Sequence, residues 1–197
     1  MIAAIRTFAA IAVTAALLYG MQGTTPYYSD IVSYAQVQGK QGKRVETSSF
    51  ATAVVRVHLA RELVVGSGFL QDHALTTTGI WVVVEAAAEA VHESMSLSSA
   101  TWLARDGVRY QMSSRPTSLP GTPGTEQLEP GIPRPVLMVF EVPEEQLAGA
   151  SLIVHPLSAQ SLGEEARVEL DDMPSAISSR ITIKFGGRVM PWRLEFL

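Results

Sequence analysis

Four histidines are the first residues to weigh, because imidazole serves both as metal ligand and as general base. His58, His73, His92 and His155 stand in separate segments without His-x-x-x-His spacing, so no local zinc motif is present. Asp72-His73, close to Ser67, supplies the residue types of a Ser–His–Asp hydrolase. Yet Gly66-Ser67-Gly68 stops short of Gly-x-Ser-x-Gly, and no strand–turn–helix pattern surrounds it. The acidic pairs Glu144-Glu145, Glu164-Glu165 and Asp171-Asp172 sit at turns and lack the Asp-x-Asp-x-Asp-Gly of a calcium loop. The stretch Gly121 to Gly131 lacks the lysine and following helix of a phosphate cradle. With no cysteine in the chain, thiol nucleophiles, Cys-type zinc and disulfides are excluded. The expectation is therefore a non-enzymatic protein with no catalytic residue, no metal and no cofactor.

What remains is the chemistry of contact. Trp192, with Arg193 after it and Arg188 before it, combines the two residue types most enriched in interface hot spots. These three are the candidate partner-binding residues, with Trp192 expected to be exposed; a core residue closing the fold is the alternative at that position. Trp81 and Trp102 are expected in the core.

The elements that would carry such a contact are strands. The stretch Leu128 to Val142 opens as a turn at Pro130-Gly131 and becomes a Val/Leu/Met/Phe run between Pro135 and Pro143, which reads as a buried strand. Phe50 to Val65 alternates Val55, Val57 and Leu59 with Arg56, His58 and Ala60, the period of a half-buried strand. Phe69 to Thr78 reads as loop. Gly79 to Val91 is β-branched in its first half and alanine-rich in its second. It is taken as one long strand with Ile80, Val82, Val84, Ala86, Ala88 and Ala90 on one face. Asp106-Gly107 marks a tight hairpin between Ser99–Arg105 and Val108–Met112. Arg115 to Pro135, with its prolines and glycines, is a long irregular loop. Further strands follow at Ala150–His155 and Ala166–Leu170. Gly186-Gly187 then separates the arms Arg180–Phe185 and Arg188–Phe196 of a final hairpin, whose second arm Pro191 demotes to an edge or bulged strand.

The 197-residue chain is 47% hydrophobic and 17% charged with a net charge of −4. It can build a core, and it carries no basic excess for nucleic acid. Thr7 to Gln22 is uncharged after Arg6. Together with Met1 to Ile5 it reads as an uncleaved single-pass anchor, N-terminus cytoplasmic and the bulk extracytoplasmic. A signal peptide cut near Thr14-Ala15-Ala16, giving a secreted protein, is the competing reading. Ala12, Ala16 and Gly20 form a small-residue stripe for packing against another membrane helix. The expected organisation is anchor or signal over 1–22, linker over 23–49 with a helical turn near Asp30–Val37, sandwich over 50–156, and a C-terminal extension with hairpin over 157–197.

Four segments also carry a resemblance in order: Gly79-Ile80-Trp81-Val82-Val83-Val84, Asp106-Gly107-Val108-Arg109-Tyr110, Leu128-Glu129-Pro130-Gly131, and Val139-Phe140-Glu141-Val142-Pro143. Over roughly Ala51 to Pro156 the chain resembles the telokin-like, immunoglobulin-like family of bacterial extracytoplasmic proteins that includes the mycobacterial secreted immunoprotective antigens. It departs from that pattern at Ala87 to Val91, where the family usually has an Asn. The resemblance implies an all-β immunoglobulin-like sandwich in an extracytoplasmic compartment, with no shared catalytic residues. The expected function is an accessory or scaffold subunit of a cell-envelope complex, partnered by membrane proteins and, through its helix, by the bilayer. A small-molecule or lipid carrier, its cleft gated by the Arg115–Pro135 loop, is the alternative.

Overall fold

The computed structural model describes residues 12–21, 34–66, 73–117, 119–157, 163–187 and 189–197. Two units are distinguished, residues Met1–Ser33 and Tyr34–Leu197. In the first, residues 12–21 form a helix. No helix among the described residues is long and apolar enough to cross a membrane; the rest of the uncharged run lies outside them.

The second unit is a β-sandwich. Its first sheet has the order β1 (Ala35–Lys40), β10 (Glu164–Glu169), β9 (Ser151–Pro156), β5 (Met95–Leu103), β6 (Arg109–Gln111), with β7 (Gln127–Leu128) on β5. The second runs β12 (Trp192–Phe196), β11 (Ser178–Phe185), β3 (Phe50–Gly66), β4 (His73–Ala90), β8 (Arg134–Val142), with β2 (Val45–Glu46) on β3. The main core lies between them. Phe50, Val54, Val57, Ile80, Val82, Val84, Met138 and Phe140 from one sheet meet Leu97, Trp102, Leu152, Val154 and Val168 from the other. The period-2 face from Ile80 to Ala90 is buried along its length, so the alanine-rich half of β4 is extended. Pairing with β3 along the whole half and with β8 as far as Ala88 supplies its residues with backbone partners and overrides its helical propensity.

β3 and β4 do more than one job. Ala60 faces Trp81, yet Glu62 faces Thr76, leaving Arg61 alone opposite residues 77–80. Such a mismatch bends a ribbon. The indole Nε1 of Trp81 donates to the carbonyl of Leu75, 2.9 Å away and only six residues earlier in the same strand, a contact an extended strand could not make. The far half of the ribbon, extended by β11 and β12, therefore lies back over the outer face of its own sheet. A second core fills the space: Ala60, Leu63, Trp81, Val83, Leu137, Val139, Ile181, Ile183 and Trp192, with Leu119 from the long loop. At the bend, a Cβ on Gly79 would stand 2.6 Å from the carbonyl oxygen of Val142, which is why this position has no side chain.

Several expectations are revised. Residues 35–46, read as linker, carry β1 and β2. Of the helical turn expected near Asp30–Val37, residues 35–37 are strand, because β1 pairs in parallel with β10, Ala35 facing Glu164 through Lys40 facing Glu169; residues 30–33 lie outside the described ones. Residues 73–78, read as loop, open β4. The tail read as an extension belongs to the sheets: β10 lies between β1 and β9, and β11 pairs in parallel with β3.

Candidate functional site

The C-terminal hairpin forms one edge of the second sheet among the described residues. Gly186 N–H donates to the carbonyl of Pro191 (2.7 Å) and Gly187 N–H to that of Met190 (2.8 Å), so the turn spans the residues between the strands rather than two glycines alone. Pro191 stands just before β12, past the last paired residues of the strand, so its missing N–H costs only the return bond to Gly186. The hydrogen-bond phase of β12 can be followed residue by residue. Leu197 N–H donates to the Arg180 carbonyl (3.1 Å) and Arg180 N–H to the Leu197 carbonyl (3.3 Å). Residues exchanging both bonds alternate along an antiparallel pair, and Arg193 faces Lys184 while Glu195 faces Thr182. Hence Arg193 and Glu195 turn their backbone groups toward β11, and Trp192, Leu194 and Phe196 turn theirs to the open side.

The exposure expected of Trp192 is corrected by the structure. It is only 3% exposed, its Nε1 donates to Glu85 Oε2 at 3.0 Å, and its ring lies so close to Gly121 that a Cβ there would come within 2.3 Å. The cause is the fold-back of β3 and β4, which aims the 192–194–196 face of β12 into the second core. Arg193 lies on the opposite face, exposed, beside the ion pair between Lys184 and Glu195 (2.7 Å). Arg188 lies outside the described residues. What is offered to solvent instead is the turn: Phe185 (53%), Val189 (90%) and Met190 (47%). Apolar residues packed around Gly186-Gly187 and Pro191 were the available signal, since a turn must lie at the surface.

A polar cluster sits behind this hairpin. His58 Nε2 and Glu85 Oε1 are 2.7 Å apart, and the Phe196 ring is tilted against His58 with centroids 4.9 Å apart. The hydrogen bond from His58 holds the Glu85 carboxyl below its usual range; burial opposes this, and the Trp192 indole adds to it. Beside the cluster is a cavity of about 430 Å³ lined by Arg56, His58, Asp172, Ser178 and Phe196 among others. It opens where, among the described residues, β3 lacks a neighbouring strand on that side, since β2 pairs only Ala51 and Thr52 and β11 begins opposite Ala60.

The outer face of the first sheet carries a second chain of polar groups. Gln36 Nε2 donates to Glu165 Oε1 (2.6 Å), Glu165 Oε2 meets His155 Nδ1 (3.0 Å), and His155 Nε2 lies 2.9 Å from Thr101 Oγ1. Burial raises the Glu165 carboxyl, but hydrogen bonds from His155 and Gln36 outweigh it and hold the group below its usual range. The order of hydroxyl, imidazole and carboxylate is that of a nucleophile with its base. Thr101, however, is 1% exposed, so its hydroxyl is not presented to a substrate, and the row staples strands together. His73 pairs with Val65 at the far end of the ribbon, while Ser67 and Asp72 lie outside the described residues. Among the described residues no group of three or more His, Cys, Asp or Glu could hold a metal ion. Of the Arg115–Pro135 loop, expected to gate a cleft between the sheets, Leu128 in β7 is buried in the main core, while the loop's earlier part packs on the outer face of the second sheet. Leu119 is buried in the second core, and the Arg115 guanidinium stands 5.3 Å above the Trp81 ring while bonding Glu141 (2.6 Å). Ala12, Ala16 and Gly20 all lie in the helix over 12–21 and are exposed.

No family model matches the chain, and no curated protein matches it in sequence. Among solved structures it is similar to the yjhA protein from Bacillus subtilis, with 13% identity and a TM-score of 0.50 over 68% of this chain and 99% of that one. It also matches an uncharacterized β-sandwich protein from Clostridium difficile (10% identity, TM-score 0.41, 70% of this chain and 94% of that one). A conserved hypothetical protein from Bacillus anthracis matches as well (18% identity, TM-score 0.42, 64% and 93%). The first of these likenesses concerns the fold alone: the chain is a β-sandwich.

Proposed function

We propose that this protein is a non-enzymatic interaction domain of the telokin-like, immunoglobulin-like type, anchored by its N-terminal segment and displayed outside the membrane as an accessory or scaffold subunit of a cell-envelope complex. The observation that carries the reading is the β11–β12 hairpin: Phe185, Val189 and Met190 lie exposed at its turn, next to a strand whose outer edge has no partner strand among the described residues. Apolar turn residues beside an unpaired edge suit a contact made by side-chain insertion and strand addition. The test is crosslinking in intact membranes, followed by recovery of the protein and sequencing of its N-terminus. A chain that begins at Met1 and carries a stoichiometric membrane protein supports the reading. Recovery of a chain cut near Ala16, with nothing attached, overturns it.

A second reading, a carrier of a small polar ligand, draws support from the cavity beside Arg56, His58 and Phe196. A bound species in native mass spectrometry, lost in Arg56→Ala, would favour it.

A further inference from the structure

We propose that the open edge of β12 pairs with β12 of a second copy, giving a two-fold dimer joined through a continuous sheet. This rests on the reading of the hairpin as a contact element and names its partner.

The register follows from two independent constraints. Trp192, Leu194 and Phe196 direct their backbone N–H and C=O groups outward, so an antiparallel mate must set these residues opposite one another. Three such registers preserve the two-fold axis near the middle of the strand. One places Arg193 opposite Arg193 of the second copy, and another places Glu195 opposite Glu195; like charges directly opposed destabilise a sheet. The third centres on Leu194. It sets Leu194 against Leu194, Trp192 against Phe196, and Arg193 against Glu195 on both sides of the axis. Overlap is greatest there, each outward residue exchanges both hydrogen bonds with its mate, and both charge pairs attract. The Arg193–Glu195 pairs also fall at the non-hydrogen-bonded positions, where facing side chains come closest. One basic and one acidic residue flanking Leu194 thus make the strand complementary to itself, as an isologous interface requires. Glu195 already bonds Lys184 in its own chain, and adding Arg193 of the second copy extends that pair into a row of charges across the junction. The other exposed apolar residues of this edge, Phe196 (48%) and Leu197 (74%), gain cover in the same step.

The absence of cysteine from the chain makes the register directly testable. Single-cysteine variants of the full chain, Arg193→Cys, Leu194→Cys and Glu195→Cys, are oxidised and run without reductant. In the proposed register only position 194 faces itself, at the Cα separation of about 5.5 Å of a hydrogen-bonded pair, which a disulfide spans. Sedimentation of the unsubstituted protein across a concentration series then gives the dimer constant. Arg193→Glu should weaken it by about tenfold or more, and Arg193→Glu with Glu195→Arg should restore most of the loss. A disulfide at 193 or 195 in place of 194, or a dimer indifferent to both charge variants, overturns the register. A chain that stays monomeric and forms no disulfide overturns the second copy as partner. If that monomer still crosslinks to a different membrane protein through its hairpin turn, the proposed function stands while this inference fails; if it crosslinks to nothing, both fall.

Discussion

Glu165 and Glu85 are the residues whose ionisation the fold alters most clearly. Both carboxyls are held below the ordinary value of 4.5 by their hydrogen-bonded histidines and further donors. A depressed carboxylate contributes stability that is complete above its unfolded pKa and is lost as pH falls through the folded one. Stability should therefore hold near neutrality and decline as pH drops below about 4.5, and Glu165→Gln should flatten that decline in denaturant titrations run at several pH values. An unaltered acid limb in the variant would show that the Glu165 row does not staple the sheet. Trp192 sets a second test at this scale. As a buried ring it should cost about 3–5 kcal/mol when replaced by Ala, measured on the isolated protein; a loss under about 0.5 kcal/mol would return it to the surface. The sequence left exposure and burial of this ring both open, because alternation in a strand says which residues share a face and leaves open which face is covered; the structure shows the buried alternative. The pairings His155–Glu165 and His58–Glu85 were equally invisible: the first joins strands whose adjacency only the topology decides, and the second depends on the β3–β4 register, which shifts at Val54/Arg56.

Among the elements, β4 was legible and its bend was not. Valine and alanine at every second position disclosed a face that the structure buries, and Asp106-Gly107 disclosed the β5–β6 turn, where Gly107 takes a φ of 90°. Nothing local announces the bend at Arg61, whose cause is the packing of Trp81 beneath Leu75. Gly79 is its one sequence trace. Gly79→Ala should push a methyl against the Val142 carbonyl and destabilise the protein by about 1–3 kcal/mol in equilibrium unfolding. A neutral effect would mean that the bend has slack. The hairpin turn makes the opposite prediction. Phe185→Ser with Val189→Ser should leave the unfolding free energy within about 0.5 kcal/mol per site while abolishing crosslinked product in membranes. Retained product would remove the turn from the proposed contact.

At the scale of the whole molecule the two cores share β3, β4 and β8, so neither can be lost alone. Variants keeping only Trp102 or only Trp192 report on one core each, and their denaturation midpoints should coincide; separated midpoints would reveal two independently melting halves. The same shared strands constrain how the molecule is made. β3 meets β4 at once across a local ribbon, but its other flank waits for β11, with Arg180 and Glu62 118 residues apart. The first sheet likewise closes only when β10 reaches β1, Gln36 and Glu165 being 129 residues apart. A chain synthesised in sequence order thus carries a long apolar ribbon, its back uncovered, until β11 emerges. Pairings so remote in sequence make folding slow, and the nascent protein spends that interval dependent on whatever shields it, so that a delay in translation before β11 extends the most vulnerable moment of its life.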